Sequence, residues 1–179
     1  MKGLVFTEFI DLVDERFSPE TSERLIEMSD VPSGGAYTSV GTYDAKEMFT
    51  LVSNLSVMTG ISVSDLLKEF GKHLLRRFVS SFPVFFEGMR STMEFLPRVD
   101  DYVHLEVRKL YPDAELPSFS CATPAQGTLI MTYRSKNNLP DLAEGLILGC
   151  IDHFGDSLSV RRETGNENPP ETIFTICPK

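Results

Sequence analysis

Apolar residues recur at helical spacing through most of the chain and give way to alternation near its end. In residues 3–17, Val5, Phe9, Leu12 and Val13 fall on one side and Glu8, Asp11 and Asp14 on the other, which predicts an amphipathic helix. Ser18-Pro19-Glu20 opens a second helix to about Met28, since proline suits a first helical turn. Pro32-Ser33-Gly34-Gly35 reads as a loop, and residues 37–40 as a short extended piece. A helix from Asp44 to about Thr59 presents Met48, Leu51, Val52 and Leu55 on one face and stops at Gly60. Ser62 or Ser64 caps the next helix, with Leu66, Leu67, Phe70, Leu74 and Phe78 inward. Beyond the aromatic-rich residues 82–86, a helix is predicted over 91–111, kinked or divided by Pro97 and ended by Pro112.

The period changes after Pro117. Residues 127–134 alternate, with Leu129, Met131 and Tyr133 on one face of a strand. Pro140 opens a helix that ends near Gly155, and residues 158–162 and 172–177 form a hairpin around the polar loop 165–170. Helices over the first two thirds, then strand–helix–strand–strand, define the α+β class. Without an internal repeat or a linker, residues 1–179 are expected to form one domain.

Charge and cysteine usage narrow the function. A formal net charge of −9, with Arg76-Arg77 as the largest basic cluster, excludes a nucleic-acid binder, because phosphate neutralisation supplies most of that affinity. No window of 18 apolar residues occurs, so no membrane span is expected. Glu8 and Asp11 break the opening apolar run, which also lacks a small-residue cleavage site, so a signal peptide is not expected. Cys121, Cys150 and Cys177 are odd in number and far apart, which suits a reducing cytoplasm rather than a disulfide framework.

Three histidines remain as candidate chemistry. Val99, Val103, Val107 and Leu110 form a helical stripe, with His104 and Tyr111 along its edge. A neutral imidazole there would be an axial ligand for haem iron, or simply a half-buried, hydrogen-bonded side chain. His73 follows Glu69 by four residues, the spacing of an exposed pair, and His153 falls in the last turn of its helix, where it suits the dipole. Asp100, Asp101 and Glu115 read as loose carboxylates, and the hydrolase, nucleotide and metalloprotease motifs are missing.

Three separated blocks carry a resemblance. The opening MKGLVFTEFIDLV, the stretch DDYVHLEVRKLYPDAELPSF around His104, and MTYRSKNNLPDLAEGLILG resemble, in order and essentially end to end, the bacterial haem nitric oxide/oxygen-binding (H-NOX) family, related to the haem domain of soluble guanylate cyclase. The resemblance implies a haem b (iron protoporphyrin IX) between a helical distal part, about residues 1–60, and a mixed proximal part with an antiparallel sheet and helices, about 61–179. It implies His104 as the iron ligand and Pro117 as a residue packed on the haem. Tyr133 and Ser135 match the first two members of the family's propionate-binding Tyr-x-Ser-x-Arg motif. The third position is Asn137, a neutral and weaker contact than a bidentate arginine, and Arg134 or Lys136 is a candidate substitute.

On the distal side the matching positions are Phe9, Leu74 and Leu142, with Val5 and Phe78 beside them, all apolar. Bound oxygen needs a hydrogen-bond donor more than nitric oxide does, so the resemblance implies a sensor that takes nitric oxide, and carbon monoxide, and excludes oxygen. It implies signalling through loosening of the bond to His104 and a shift of the helical part. Lacking an effector domain, the chain is expected to act on a sensor histidine kinase or on a cyclic-di-GMP synthase or phosphodiesterase, and not as an enzyme. The alternative is a haem-poor or haem-free interaction module of the same fold.

Overall fold

A computed structural model describes residues 1–179, the side chain of Glu167 aside. Four helices come first: α1 (Gly3–Arg16), α2 (Pro19–Ser29), α3 (Ala45–Thr59) and α4 (Val63–Ser81). The starts of α2, α3 and α4 are set by side chains that take otherwise unpaired N–H groups: Ser18 accepts from Thr21, Asp44 from Lys46 and Ser62 from Asp65. Gly60 ends α3 in the left-handed region at φ 73°, which costs glycine nothing. Phe9, Leu12 and Val13 of α1 pack with Leu51 and Leu55 of α3 and with Leu66, Phe70 and Leu74 of α4 in one buried cluster. Among the described residues no single helix is long and apolar enough to cross a membrane.

Residues 37–40 form no strand. Tyr37 instead stacks on Phe6 with ring centroids 4.4 Å apart, and the only strand-like pairing nearby is an isolated bridge between Lys2 and Thr42. An aromatic ring that finds a core partner fixes a loop as firmly as a ladder would.

The helix expected over 91–111 is divided as Pro97 requires, but into four pieces. A short α5 (Thr92–Phe95) runs into a 3-10 turn (Leu96–Arg98), then a π turn (Val99–Val103), then α6 (His104–Leu110). The π turn inserts an extra residue per turn and shifts the helical phase. The stripe predicted from Val99 to Leu110 is therefore not presented to the core as one face: Val99, Val103 and Val107 are half-buried, while Leu110 is 69% exposed.

After α6 come β1 (Ser118–Ala125), β2 (Thr128–Arg134), α7 (Pro140–Phe154), β3 (Leu158–Glu167) and β4 (Pro170–Pro178). The sheet has the order β1-β2-β4-β3 with every neighbouring pair antiparallel. β1 corrects the expectation of three strands. Its residues are mostly exposed, only Phe119 being half-buried, so its sequence shows no alternation to read. On the central strands Leu129, Met131, Tyr133, Phe174 and Ile176 face inward and join Ile147, Cys150 and Ile151 of α7 in a second buried cluster. This is the α+β class expected from the sequence.

Helices α4 and α7 join the two clusters at close range. A β-carbon on Gly71 would lie 2.5 Å from the Leu142 carbonyl oxygen, and one on Gly145 would lie 2.3 Å from that of Lys68. Glycine at both positions is thus a steric condition for this crossing. Ser64 and Arg162 both donate to Asp141 at the start of α7, at 2.7 and 2.6 Å, and fasten the same crossing at one end.

Candidate functional site: a histidine at a helix discontinuity

His104 is the first residue of α6, and its backbone N–H reaches back to the Val99 carbonyl across the π turn. The side chain is 12% exposed and lies against Phe119 of β1, with ring centroids 5.8 Å apart. Phe119 in turn faces Tyr133, its register partner on β2, at 5.5 Å. Asp100 is not a loose carboxylate: its Oδ1 stands 3.1 Å from His104 Nδ1 and 3.7 Å from an Arg108 guanidinium nitrogen. An ionised carboxylate only accepts, so the ring proton belongs on Nδ1 and the lone pair on Nε2. Burial holds the imidazole below the ordinary histidine value, against the Asp100 carboxylate and the Pro117 backbone carbonyl, which raise it. His104 is accordingly neutral near pH 7, the form that can ligate a metal.

Pro117, half-buried, precedes β1 directly. Tyr133 is buried, and its hydroxyl accepts from the Leu139 N–H at 3.0 Å. Ser135 follows the end of β2, and its hydroxyl accepts from the Asn137 N–H at 3.2 Å. Asn137 lines a cleft of about 530 Å3 with Met1, Lys2, Tyr43, Asp113 and Lys136, which does not reach His104. Arg134 is committed elsewhere. It donates to Glu171 at 2.6 Å and to Ser120 at 3.3 Å across the sheet, with no part in the Tyr133–Ser135–Asn137 group. Glu115, also read as loose, pairs with Lys136 at 2.6 Å.

The five apolar positions expected on the distal side come together. Phe9, Leu74 and Leu142 are buried in the first cluster, and Val5 and Phe78 pack against it half-buried. None brings a hydroxyl, amide or charge.

His73 is not the exposed partner of Glu69. It is 2% exposed, with Nε2 3.5 Å from Glu8 and Nδ1 3.7 Å from Glu15, both on α1, whereas Glu69 pairs with Arg16. Its side is the α1-facing side of α4, which a single-helix spacing does not reveal. His153 is exposed and sits edge-on to Phe86 and Phe154. Asp100, Phe119 and Glu8 stand near these sites, and sequence reasoning assigned none of them a part in one. Only Asp100 carried a local signal, its position four residues before His104.

The donor set fits a haem. His104 offers a neutral nitrogen whose partner nitrogen is held by a carboxylate, the arrangement that fixes a metal-binding imidazole. Tyr133, Ser135 and Asn137 offer hydrogen-bonding groups for carboxylates at one strand end, and the apolar set offers a dry wall. Fold and site together define a haem-binding sensor domain. The chain belongs to the Haem-NO-binding family, whose pattern matches residues 2–162. Soluble guanylate cyclase gcy-35 of Caenorhabditis elegans is 24% identical over 152 residues, 82% of this chain, and the chain spans 22% of that cyclase. The Fe(II) unliganded H-NOX protein of K. algicida superposes with a TM-score of 0.91 at 36% identity, over 100% of this chain and 97% of that one. The S. oneidensis H-NOX protein in its Fe(II)NO state shares the fold at a TM-score of 0.89 and 24% identity, over 98% of each chain.

Proposed function

We propose that this chain is a haem-based nitric oxide sensor in which His104 holds the iron of a haem b, oxygen is excluded, and the output is regulation of a separate signalling protein. The observation that carries the gas preference is the wholly apolar set Val5, Phe9, Leu74, Phe78 and Leu142. When bound, haem supplies an iron centre that takes a diatomic ligand. The protein's residues do the rest. Asp100 fixes the His104 ring and keeps its lone pair on Nε2. Phe119 limits water around the imidazole. Tyr133, Ser135 and Asn137 hydrogen-bond the haem carboxylates, and Pro117 packs on the haem.

His104 also begins α6 at the π turn, so a change in tension on its ring is delivered to a helix segment whose register is already irregular. That is the element whose rearrangement a partner would read. A sensor histidine kinase or a cyclic-di-GMP synthase or phosphodiesterase is the class of partner, and a chain of net charge −9 suits a basic docking patch on it. The Fe(II)NO state of the S. oneidensis protein supports nitric oxide as the signal.

Asn137 favours a second reading, a haem-poor module of the same fold, because no arginine reaches the propionate-binding group while Arg134 is held by Glu171. One experiment tests both: an absorption spectrum of the purified, reduced protein before and after nitric oxide and then air. A haem band that shifts with nitric oxide, carbon monoxide included, and ignores oxygen is the expected result. A stable oxygen adduct overturns the gas preference, and a colourless protein that rejects added haem establishes the module.

A further inference from the structure

The seam between α1 and α4 contains a buried group that haem binding does not use. His73 Nε2 is buried without a hydrogen-bond partner. The Glu8 oxygen nearest to it, at 3.5 Å, is already taken by the Arg77 Nε–H at 2.7 Å. On the other side of the ring, Glu15 stands 3.7 Å from Nδ1 and is 65% exposed. Both carboxylates lie beyond the bonding range of about 2.7–3.2 Å. Asp11 on α1 and Arg76 on α4 also lie at this seam, and Arg16 of α1 pairs with Glu69 of α4 further along it, at 3.0 Å. On the far flank of α4, Asp152 of α7 is engaged by Lys72, and no α3 or α7 carboxylate among the described residues is within ion-pair distance of the ring.

A charged ring in this setting is under-compensated, because its nearest carboxylate is shared with an arginine and its other is turned to solvent. Taking a proton therefore favours any arrangement in which water reaches the ring, and water reaches it only if α1 lifts from α4. Burial holding His73 below the ordinary histidine value, against Glu15 and Glu8, has the same direction. The next residue on each helix is a wall residue: Phe9 after Glu8, Leu74 after His73, with the Phe9 ring edge-on to Phe70 at 5.2 Å. Lifting α1 loosens that wall.

We propose that Glu8, Glu15, His73 and Arg77 form an acid-released latch along the α1–α4 seam, with Glu8 and His73 as positioning residues for the apolar wall that carries Phe9 and Leu74. The link to ligand entry rests on that wall being the distal side of the haem site. The latch itself does not.

The test compares the purified full chain with its His73→Gln and Glu15→Gln variants between about pH 8 and about pH 5.5, the range over which histidine changes charge. Two quantities are read: hydrogen-exchange protection of the α1 amides, and the rate of carbon monoxide recombination after photolysis. In the wild type, α1 protection is expected to fall by about fivefold beyond any change in His73→Gln, at the lower end of ordinary site-to-site coupling. Glu15→Gln, which alters only an exposed partner and leaves the core intact, is expected to release at higher pH, because a carboxylate that favours the charged ring inside the seam has been removed and the closed seam tolerates the proton less. Recombination should quicken in parallel with the loss of protection. An identical α1 pH profile in wild type and His73→Gln overturns the latch, whatever the state of the haem. A pH-dependent α1 with unchanged recombination upholds the seam and overturns its link to ligand entry, and with it the distal reading of the wall.

Discussion

His73 and His104 are both buried imidazoles held neutral by burial and flanked by carboxylates, yet they sit in opposite settings. His73 lies on an uninterrupted 19-residue helix between two packed elements, and its ring nitrogens face only side chains of α1. His104 lies where a π turn becomes α6, on residues that are half-buried at best, with Nδ1 bonded to Asp100 and the Pro117 backbone carbonyl also acting on the ring. The first setting transmits any change as rigid motion of a helix. The second absorbs change locally, in a segment whose register is already irregular. A ligand-bearing histidine needs the second kind of place, because a fully packed helix has no alternative arrangement close in energy.

Replacing each histidine breaks the comparison most directly. His104→Gly should remove the proximal ligand and cost haem retention more than the roughly 10- to 100-fold that loss of an outer partner costs. Haem transfer to a scavenger protein measures it, and retention at the wild-type level would remove His104 from the site. The same variant should leave the partner in its signalling state without gas. Asp100→Asn comes next. It keeps the shape but no longer fixes the ring proton on Nδ1, so haem affinity should fall by about 10- to 100-fold, read by the same transfer assay. An unchanged rate would make the 3.1 Å contact incidental.

Gly145→Ala sharpens the contrast from the rigid side. Its β-carbon would meet the Lys68 carbonyl oxygen at 2.3 Å, a backbone atom that cannot swing aside. Helices α4 and α7 must separate, at a cost of about 1–3 kcal/mol, read as a lower urea midpoint. A variant as stable as the wild type would show that the crossing yields freely.

How much of this was legible in the sequence follows the same division. Helices α1 to α4 and α7 bury one face each, so their periodicity survives in the residue pattern, whereas the grouping of Val5, Phe9, Leu74, Phe78 and Leu142 as a distal set came from the resemblance alone. The segment 99–110 could not be read correctly, since a helical wheel assumes constant phase and the π turn breaks it between Val99 and His104. β1 was invisible because its burial pattern does not alternate, and Phe119, the ring against His104, was lost with it. His73 was misplaced toward Glu69 since spacing along one helix cannot show which partner helix will supply Glu8. What identified the site was the agreement of three distant blocks, and the departure at Asn137 was legible from the sequence alone.

The smallest effect separates the two histidines by pH. Both have folded values lowered from the ordinary 6.5, His73 and His104 by desolvation first. The unfolded chain therefore binds these protons more readily than the folded one, so their cost to stability is nil well above pH 6.5 and grows as pH falls through 6.5 toward the folded values. The carboxylates that work the other way, Asp141 and Asp113 among them, lose their stabilisation only as pH falls through values already below the ordinary 3.8. Between these ranges the histidines lead, opposed toward the acid end by Asp11, whose carboxyl burial raises above the ordinary 3.8. Urea midpoints measured from about pH 8 down to about pH 5.5 should decline in the wild type. His73→Gln should remove one share of the decline, and haem should steepen the other, because a folded chain whose His104 is held neutral cannot take the proton that the unfolded chain takes. A decline unchanged in His73→Gln would mean that His73 takes its proton in the folded seam as readily as in the unfolded chain, and the two histidines would differ in more than their settings.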